Sequence, residues 1–119
     1  MRKSFVFAVD FDGTIVTHEY PKVGKDVGAI PVLKQLIQNG HRIILWTMRS
    51  GETLDDAVKY VEEQGVELFG VNQNPEQISW TTSPKCYANI YIDDAAIGVP
   101  LKIYDDLSLI HISEPTRPY

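Results

Sequence analysis

Short runs that are apolar throughout alternate along the chain with longer stretches in which apolar residues recur every three or four positions. In residues 4–10, Phe5, Phe7 and Val9 form one alternating set, and Val6 and Ala8 form the other. Both sets are apolar, as expected of a strand buried on two faces inside a parallel sheet. A polar exit follows, Asp10-Phe11-Asp12-Gly13-Thr14, and the chain as far as residue 23 reads as loop. From 26 to 39, Val27, Ile30, Leu33, Leu36 and Ile37 fall at helical spacing, with Gly40 as a stop signal. Residues 42–47 predict a second buried strand. Thr53 is the expected N-cap of a helix to Gln64, with Leu54, Ala57, Val58 and Val61 on one face and Gly65 closing it. Residues 66–71 predict a third strand, 72–85 the longest irregular segment, 89–93 a fourth strand and 101–104 a fifth.

Strands alternating with helical stretches predict an α/β fold, a Rossmann-like three-layer α/β/α arrangement around a mostly parallel sheet. No internal repeat, low-complexity tract or interdomain linker interrupts it. In such folds the site lies beyond the carboxyl ends of the strands. The polar clusters fall at those ends: Asp10 and Asp12 after the first strand, Thr47 after the second, Asn72 after the third, Asp93 and Asp94 after the fourth.

Composition narrows the classes. The 119 residues, 44% hydrophobic and 23% charged, suit one globular domain. A net charge of −5 argues against a general binder of nucleic-acid backbones, which needs a basic face. The single cysteine, Cys86, excludes an internal disulfide or a thiolate zinc cluster and reads as a packing residue. No apolar run approaches the roughly 20 residues of a membrane-spanning helix. Asp10 and Asp12 interrupt any signal-peptide core. The expectation is a cytoplasmic protein with neither membrane nor nucleic acid as partner.

Three or four carboxylates at one sheet edge repel one another unless a divalent cation sits among them. Hard oxygen ligands suit Mg²⁺ rather than zinc. Taken singly, each residue has a plainer reading: a solvated turn for Asp10 to Gly13, a strand end for Thr47, a surface position for Lys85, a turn for Asp93 and Asp94. His18 reads as a loop histidine. Trp80 reads either as a substrate contact or as a cover for the core.

Taken together and in order, the residues are specific. Asp10-Phe-Asp-Gly-Thr-Ile15 resembles motif I of the haloacid dehalogenase (HAD) superfamily of phosphohydrolases. Thr47 after Ile-Ile-Leu-Trp resembles motif II, Lys85 motif III, and Ile92-Asp93-Asp94 motif IV. The compact spacing is similar to that of small capless phosphatases of the superfamily, including a type found in Bacteroides genomes. Thr47-Met-Arg-Ser-Gly, Val71-Asn-Gln-Asn-Pro and Ser83-Pro-Lys strengthen that likeness. The resemblance implies a HAD-like, capless fold and a Mg²⁺-dependent phosphatase working through an aspartyl-phosphate. Asp10 would be the nucleophile and Asp12 the general acid and base, with Thr47 and Lys85 completing the catalytic set. Gly13, Thr14, Arg49 and Asn72 are the candidate substrate-binding residues, with a solvated position at the helix entry as the other reading of Arg49. Asp10, Asp12 (through its carbonyl), Asp93 and Asp94 would hold the metal, with Asp94 favoured over Asp93 as the direct ligand.

The implied substrate is a phosphorylated small molecule, with a homo-oligomer as one way to cover an open site. The alternatives are a polynucleotide end-phosphatase and a non-catalytic phosphate-binding or interaction domain on the same scaffold. A signalling receiver domain shares these residue types but needs an aspartate after its middle strand, where this chain has Val71-Asn72-Gln73.

Residues 107–117, Leu-Ser-Leu-Ile-His-Ile-Ser-Glu-Pro-Thr-Arg, resemble the in-frame translation of a transposase adapter used in sequencing libraries. The competing reading is a natural strand built on Leu109, Ile110 and Ile112. The expected division is therefore a HAD-like hydrolase domain over 1–106 and a non-native tail over 107–119. On that division the native sequence is C-terminally truncated near Asp106, short of a further covering element.

Overall fold

The structure, a computed structural model, describes residues 3–95, 101–103 and 109–111. In chain order the elements are β1 (Val6–Val9), α1 (Ala29–Gln38), β2 (Arg42–Leu45), α2 (Gly51–Glu63), β3 (Leu68–Val71), a 3₁₀ turn (Gln77–Ser79), β4 (Ile90–Ile92), β5 (Leu101–Ile103) and β6 (Leu109–His111). The first four strands form one sheet in the order β3-β2-β1-β4, all parallel. This is the Rossmann-like α/β architecture expected from the sequence. The fifth strand forms at 101–103 but stands outside that sheet, pairing antiparallel with β6. The proposed domain boundary at 106 and most of the 107–119 tail lie outside the described residues.

Alternation sorts the two sides of the sheet. Phe7, Val9, Ile43 and Leu45 share one buried cluster with Ile30 and Leu33 of α1 and Ala57 and Val61 of α2. Val6, Ala8 and Ile44 share the other with Cys86 and Ala88. Both helices therefore cover the same face, and residues 72–88 form the third layer. Handedness accounts for this. The steps β1 to β2 and β2 to β3 move the same way across the sheet, so right-handed crossovers put both helices on one side. The return from β3 to β4 runs the opposite way and must cross the other face.

Local chemistry moves the helix starts by a few residues. The Asp26 carboxylate accepts from the N–H groups of Gly28, Ala29 and Ile30 at 3.0, 2.9 and 3.2 Å, so α1 begins three residues after Asp26. Pro31, which lacks an N–H, then falls in the first turn, where none is needed. Helix α2 starts after Ser50 rather than Thr53, whose hydroxyl donates back to the Ser50 carbonyl at 2.8 Å. Among the described residues no helix is long and apolar enough to cross a membrane.

Leu45 is fully buried at the centre of the helix-covered face, whereas Val32 on α1 is 57% exposed. Leu45→Ala is expected to lower stability by about 2–5 kcal/mol through lost burial and the cavity left behind. Val32→Ala is expected to change it by less than about 0.5 kcal/mol. Urea unfolding of both variants, read as midpoint shifts at constant slope, checks the assignment.

Candidate active site

The topology creates the site. From β1 the chain first steps to β2 on one side, and β4 later returns to the other, so a crevice opens between the carboxyl ends of β1 and β4. Val9 is in register with Ile92, and the Asp10 N–H donates to the Ile92 carbonyl at 2.9 Å. Asp10 and Asp93 are thus the next residues out on neighbouring strands. Asp10, Asp93 and Asp94 each place a carboxylate oxygen within 4.8 Å of the others.

A tight turn follows Asp10. Phe11 returns to the core, fully buried, and its carbonyl accepts from the N–H groups of Thr14, Ile15 and Val16. Gly13 has φ 82, and a Cβ there would collide with the Asp94 carboxylate. The glycine permits close approach of the two acidic segments. The Thr14 hydroxyl lies 3.5 Å from Asp10 Oδ2 and accepts the Asp94 N–H at 3.1 Å, joining the first and fourth strand ends.

Burial is the main reason the Asp10 carboxyl is pushed from 3.8 up to about 7; the Phe11 N–H opposes this, and the charges of Asp93 and Asp94 add to it. Asp94 is raised by burial first and by its bond and charge interaction with Asp93 next. The charge of Asp93 thus works against ionisation of both Asp10 and Asp94, while the bond from Asp10 pulls Asp94 the other way. The set is all oxygen, mutually repelling and convergent, which fits a hard divalent cation.

Asp12 stands apart from this cluster. Its carboxylate forms a two-pronged ion pair with Arg49, Nε to Oδ2 and Nη2 to Oδ1, both 2.8 Å. The Arg49 side chain is 1% exposed and that of Asp12 14%. The bond to Asp12 holds the guanidinium further above its usual pKa.

Thr47 leaves β2 with its N–H on the Asn72 side-chain carbonyl at 2.7 Å, while the Asn72 N–H returns to the Leu45 carbonyl at 2.8 Å. Asn72 takes a left-handed φ of 55 to make this exchange. It therefore shapes the Thr47 turn and also lines a cavity with Asp10, Trp46, Met48 and Asp93. The Thr47 hydroxyl accepts the Arg49 N–H at 3.2 Å, leaving its own proton free for a ligand oxygen. Asp10, Asp12, Thr47, Arg49, Asp93 and Asp94 border one cleft of about 470 Å³.

Lys85 is not brought into that cleft. It is exposed, with its ammonium 5.9 Å from the centre of the Tyr91 ring. Its segment is held by two residues that sequence reasoning passed over. Gln77, 7% exposed, donates to the carbonyls of Ser83 and Lys85 and accepts the Tyr87 N–H. Asn74, 8% exposed, donates to the Tyr87 carbonyl and accepts the Glu76 N–H. Nothing in a polar stretch marks which amides will turn inward. His18, Tyr20 and the fully exposed Met48 also line the cleft, so His18 is a rim residue rather than a remote loop residue.

No protein-family model matches the chain, and no curated protein matches it. Among solved structures it is similar to a conserved protein coded by a locus of Bacteroides thetaiotaomicron. Identity is 41% over 81% of this chain and 80% of that one, with a TM-score of 0.74. Sequence and fold agree across most of both molecules, and the chain belongs to the family of that conserved Bacteroides protein.

Proposed function

We propose that the chain is a Mg²⁺-dependent phosphohydrolase of the HAD type, acting on a phosphorylated small molecule. The observation that carries this reading is the division of four acids at one sheet edge. Three converge within 4.8 Å. The fourth, Asp12, borders the same cleft with its own counter-ion.

The Asp10 carboxylate would attack phosphorus, forming an aspartyl-phosphate as the bond to the leaving oxygen breaks. Asp12, entering this step protonated, would give that oxygen its proton, then as a carboxylate take one from the water that attacks the acyl-phosphate and releases inorganic phosphate. Thr47 would donate its hydroxyl proton to a phosphoryl oxygen. Asp10, Asp94 and the Asp12 carbonyl would hold Mg²⁺, with Asp93 beside them, and the ion would offset charge on the nucleophile and phosphoryl oxygens. Lys85 carries a flexible four-carbon stem and would have to turn from Tyr91 toward Asp10 to add a second positive charge.

Release of phosphate from p-nitrophenyl phosphate and a panel of phosphorylated metabolites, with and without Mg²⁺, tests the reading. Mg²⁺-dependent hydrolysis that falls to background in Asp10→Asn is the expected result. No release across the panel would remove it. Lys85→Ala is expected to lower kcat by about 10²-fold if the ammonium swings in. An unchanged kcat would leave that lysine on the surface where the structure shows it.

Metal binding has a stability signature independent of turnover. Asp10 is raised from 3.8 to about 7, so between those values the folded, metal-free chain holds a proton that the unfolded chain has lost. With more protons bound in the native state, this group's contribution makes stability fall as pH rises through that window. Mg²⁺ competes with the same proton, so the rise in Tm on adding it is expected to be large near about pH 8 and small near about pH 5. Asp10→Asn is expected to raise the Tm of the metal-free protein near neutral pH and to shrink the Mg²⁺ response. Thermal melts of both proteins at the two pH values give the comparison.

A further inference from the structure

Arg49 reads from the sequence as a substrate-binding residue of the pocket, but its contacts point to another role. A guanidinium has five N–H donors and no acceptor. All five are engaged within the chain. Nε and one Nη2 proton go to Asp12, both at 2.8 Å. The other Nη2 proton goes to the Lys22 carbonyl at 2.7 Å. The two Nη1 protons go to the carbonyls of Thr53 at 3.1 Å and Pro21 at 3.3 Å. The group also packs against two aromatic rings, Phe11 at 5.0 Å and Tyr20 at 5.2 Å. A phosphoryl oxygen would have to displace one of these partners, and with the side chain 1% exposed it would have to reach it through protein.

We infer that Arg49 is a positioning residue, acting through Asp12 and through the segment 20–22 rather than by touching phosphate. This rests on the proposed phosphohydrolase reading. The guanidinium ties three separate parts of the chain, the turn after β1, the loop carrying Tyr20, and the first turn of α2. Separately from the side chain, the main-chain N–H of Arg49 donates to the Thr47 hydroxyl oxygen at 3.2 Å. It keeps the Asp12 carboxylate on the loop side of the cleft, outside the Asp10–Asp93–Asp94 cluster. Two planar partners joined by parallel charge-assisted bonds define direction as well as distance. A lysine can replace the charge but not the fork.

In kcat/KM, which covers the steps up to departure of the leaving group, the position of Asp12 matters only when the leaving oxygen needs a proton; its later work on water is common to all substrates. Phenyl phosphate and p-nitrophenyl phosphate have nearly the same shape, but the nitro compound departs readily without protonation. With Mg²⁺ present, the ratio of kcat/KM for p-nitrophenyl to phenyl phosphate is expected to rise about 10²-fold in Arg49→Ala. Arg49→Lys is expected to show a smaller rise of about tenfold. A structural role alone would lower both substrates equally and leave the ratio unchanged, which overturns the inference. A raised KM on both substrates with kcat retained assigns Arg49 to phosphate binding and overturns it too. Should Arg49→Ala fail to fold, Arg49→Lys and the wild-type protein carry the test. In wild type, the Nε–H signal of Arg49 in ¹⁵N NMR is expected to keep its position when Mg²⁺ and orthovanadate are added. A large shift on vanadate binding would show direct contact and overturn the inference. Wild type inactive on both esters would remove the phosphohydrolase reading and this inference with it, whereas an active wild type with an unchanged ratio removes the inference alone.

Discussion

Three carboxylate oxygens within 4.8 Å of one another are expensive to hold. Two unit charges at that distance repel by about 1 kcal/mol in bulk water and about 3.5 kcal/mol at the effective dielectric of a protein surface. The register of the sheet makes this unavoidable. With Val9 beside Ile92, the residues that follow on β1 and β4 must be neighbours, and both are aspartate. The surrounding structure bends to accommodate them: Gly13 yields space to the Asp94 carboxylate, and the Thr14 hydroxyl sits between the two acidic segments. The Phe11 N–H supplies partial neutralisation to Asp10, although burial outweighs it. What remains is a site with a standing deficit of positive charge.

Asp12 is treated differently. It leaves the same strand two residues later, yet its charge is balanced inside the protein by Arg49. One turn thus holds two carboxylates in different surroundings, one crowded by further acids and one paired with an arginine. The ion pair also sets the walls of the cleft, because the arginine reaches the carbonyls of Pro21, Lys22 and Thr53. Segment 20–22 is held by its own turn, in which the Lys22 N–H donates to the Glu19 carbonyl at 2.9 Å, and by this side chain.

Much of this was legible in the sequence. Period-two runs with both sets apolar located β1 and β2, and period-3.6 runs located α1 and α2. Acids at strand ends located the cluster, since in a parallel sheet all those ends point one way. Strand order was not legible, because it depends on pairings between residues more than eighty positions apart, such as Ala8 with Tyr91. Without the order, the helices could not be assigned to a face. Arg49 was visible as a pocket residue but not as a saturated one, because three of its five partners are main-chain carbonyls, which any sequence supplies. Asn74 and Gln77 were invisible for the related reason that their partners are also mainly backbone groups of neighbouring loop residues.

The two carboxylate environments make opposite demands on stability. Removing either member of a buried ion pair leaves the other charge stranded, at a cost of about 3–5 kcal/mol. Removing an acid from an unneutralised cluster instead relieves repulsion. A sequence selected for folding alone would dilute the cluster, whereas the Asp12–Arg49 pair resists the loss of either single partner. Keeping three mutually repelling acids at the mouth of an otherwise well-packed sheet therefore argues for a return that folding does not provide, as strained and destabilised sites generally do. A cation held among them would supply that return, turning their mutual repulsion into attraction.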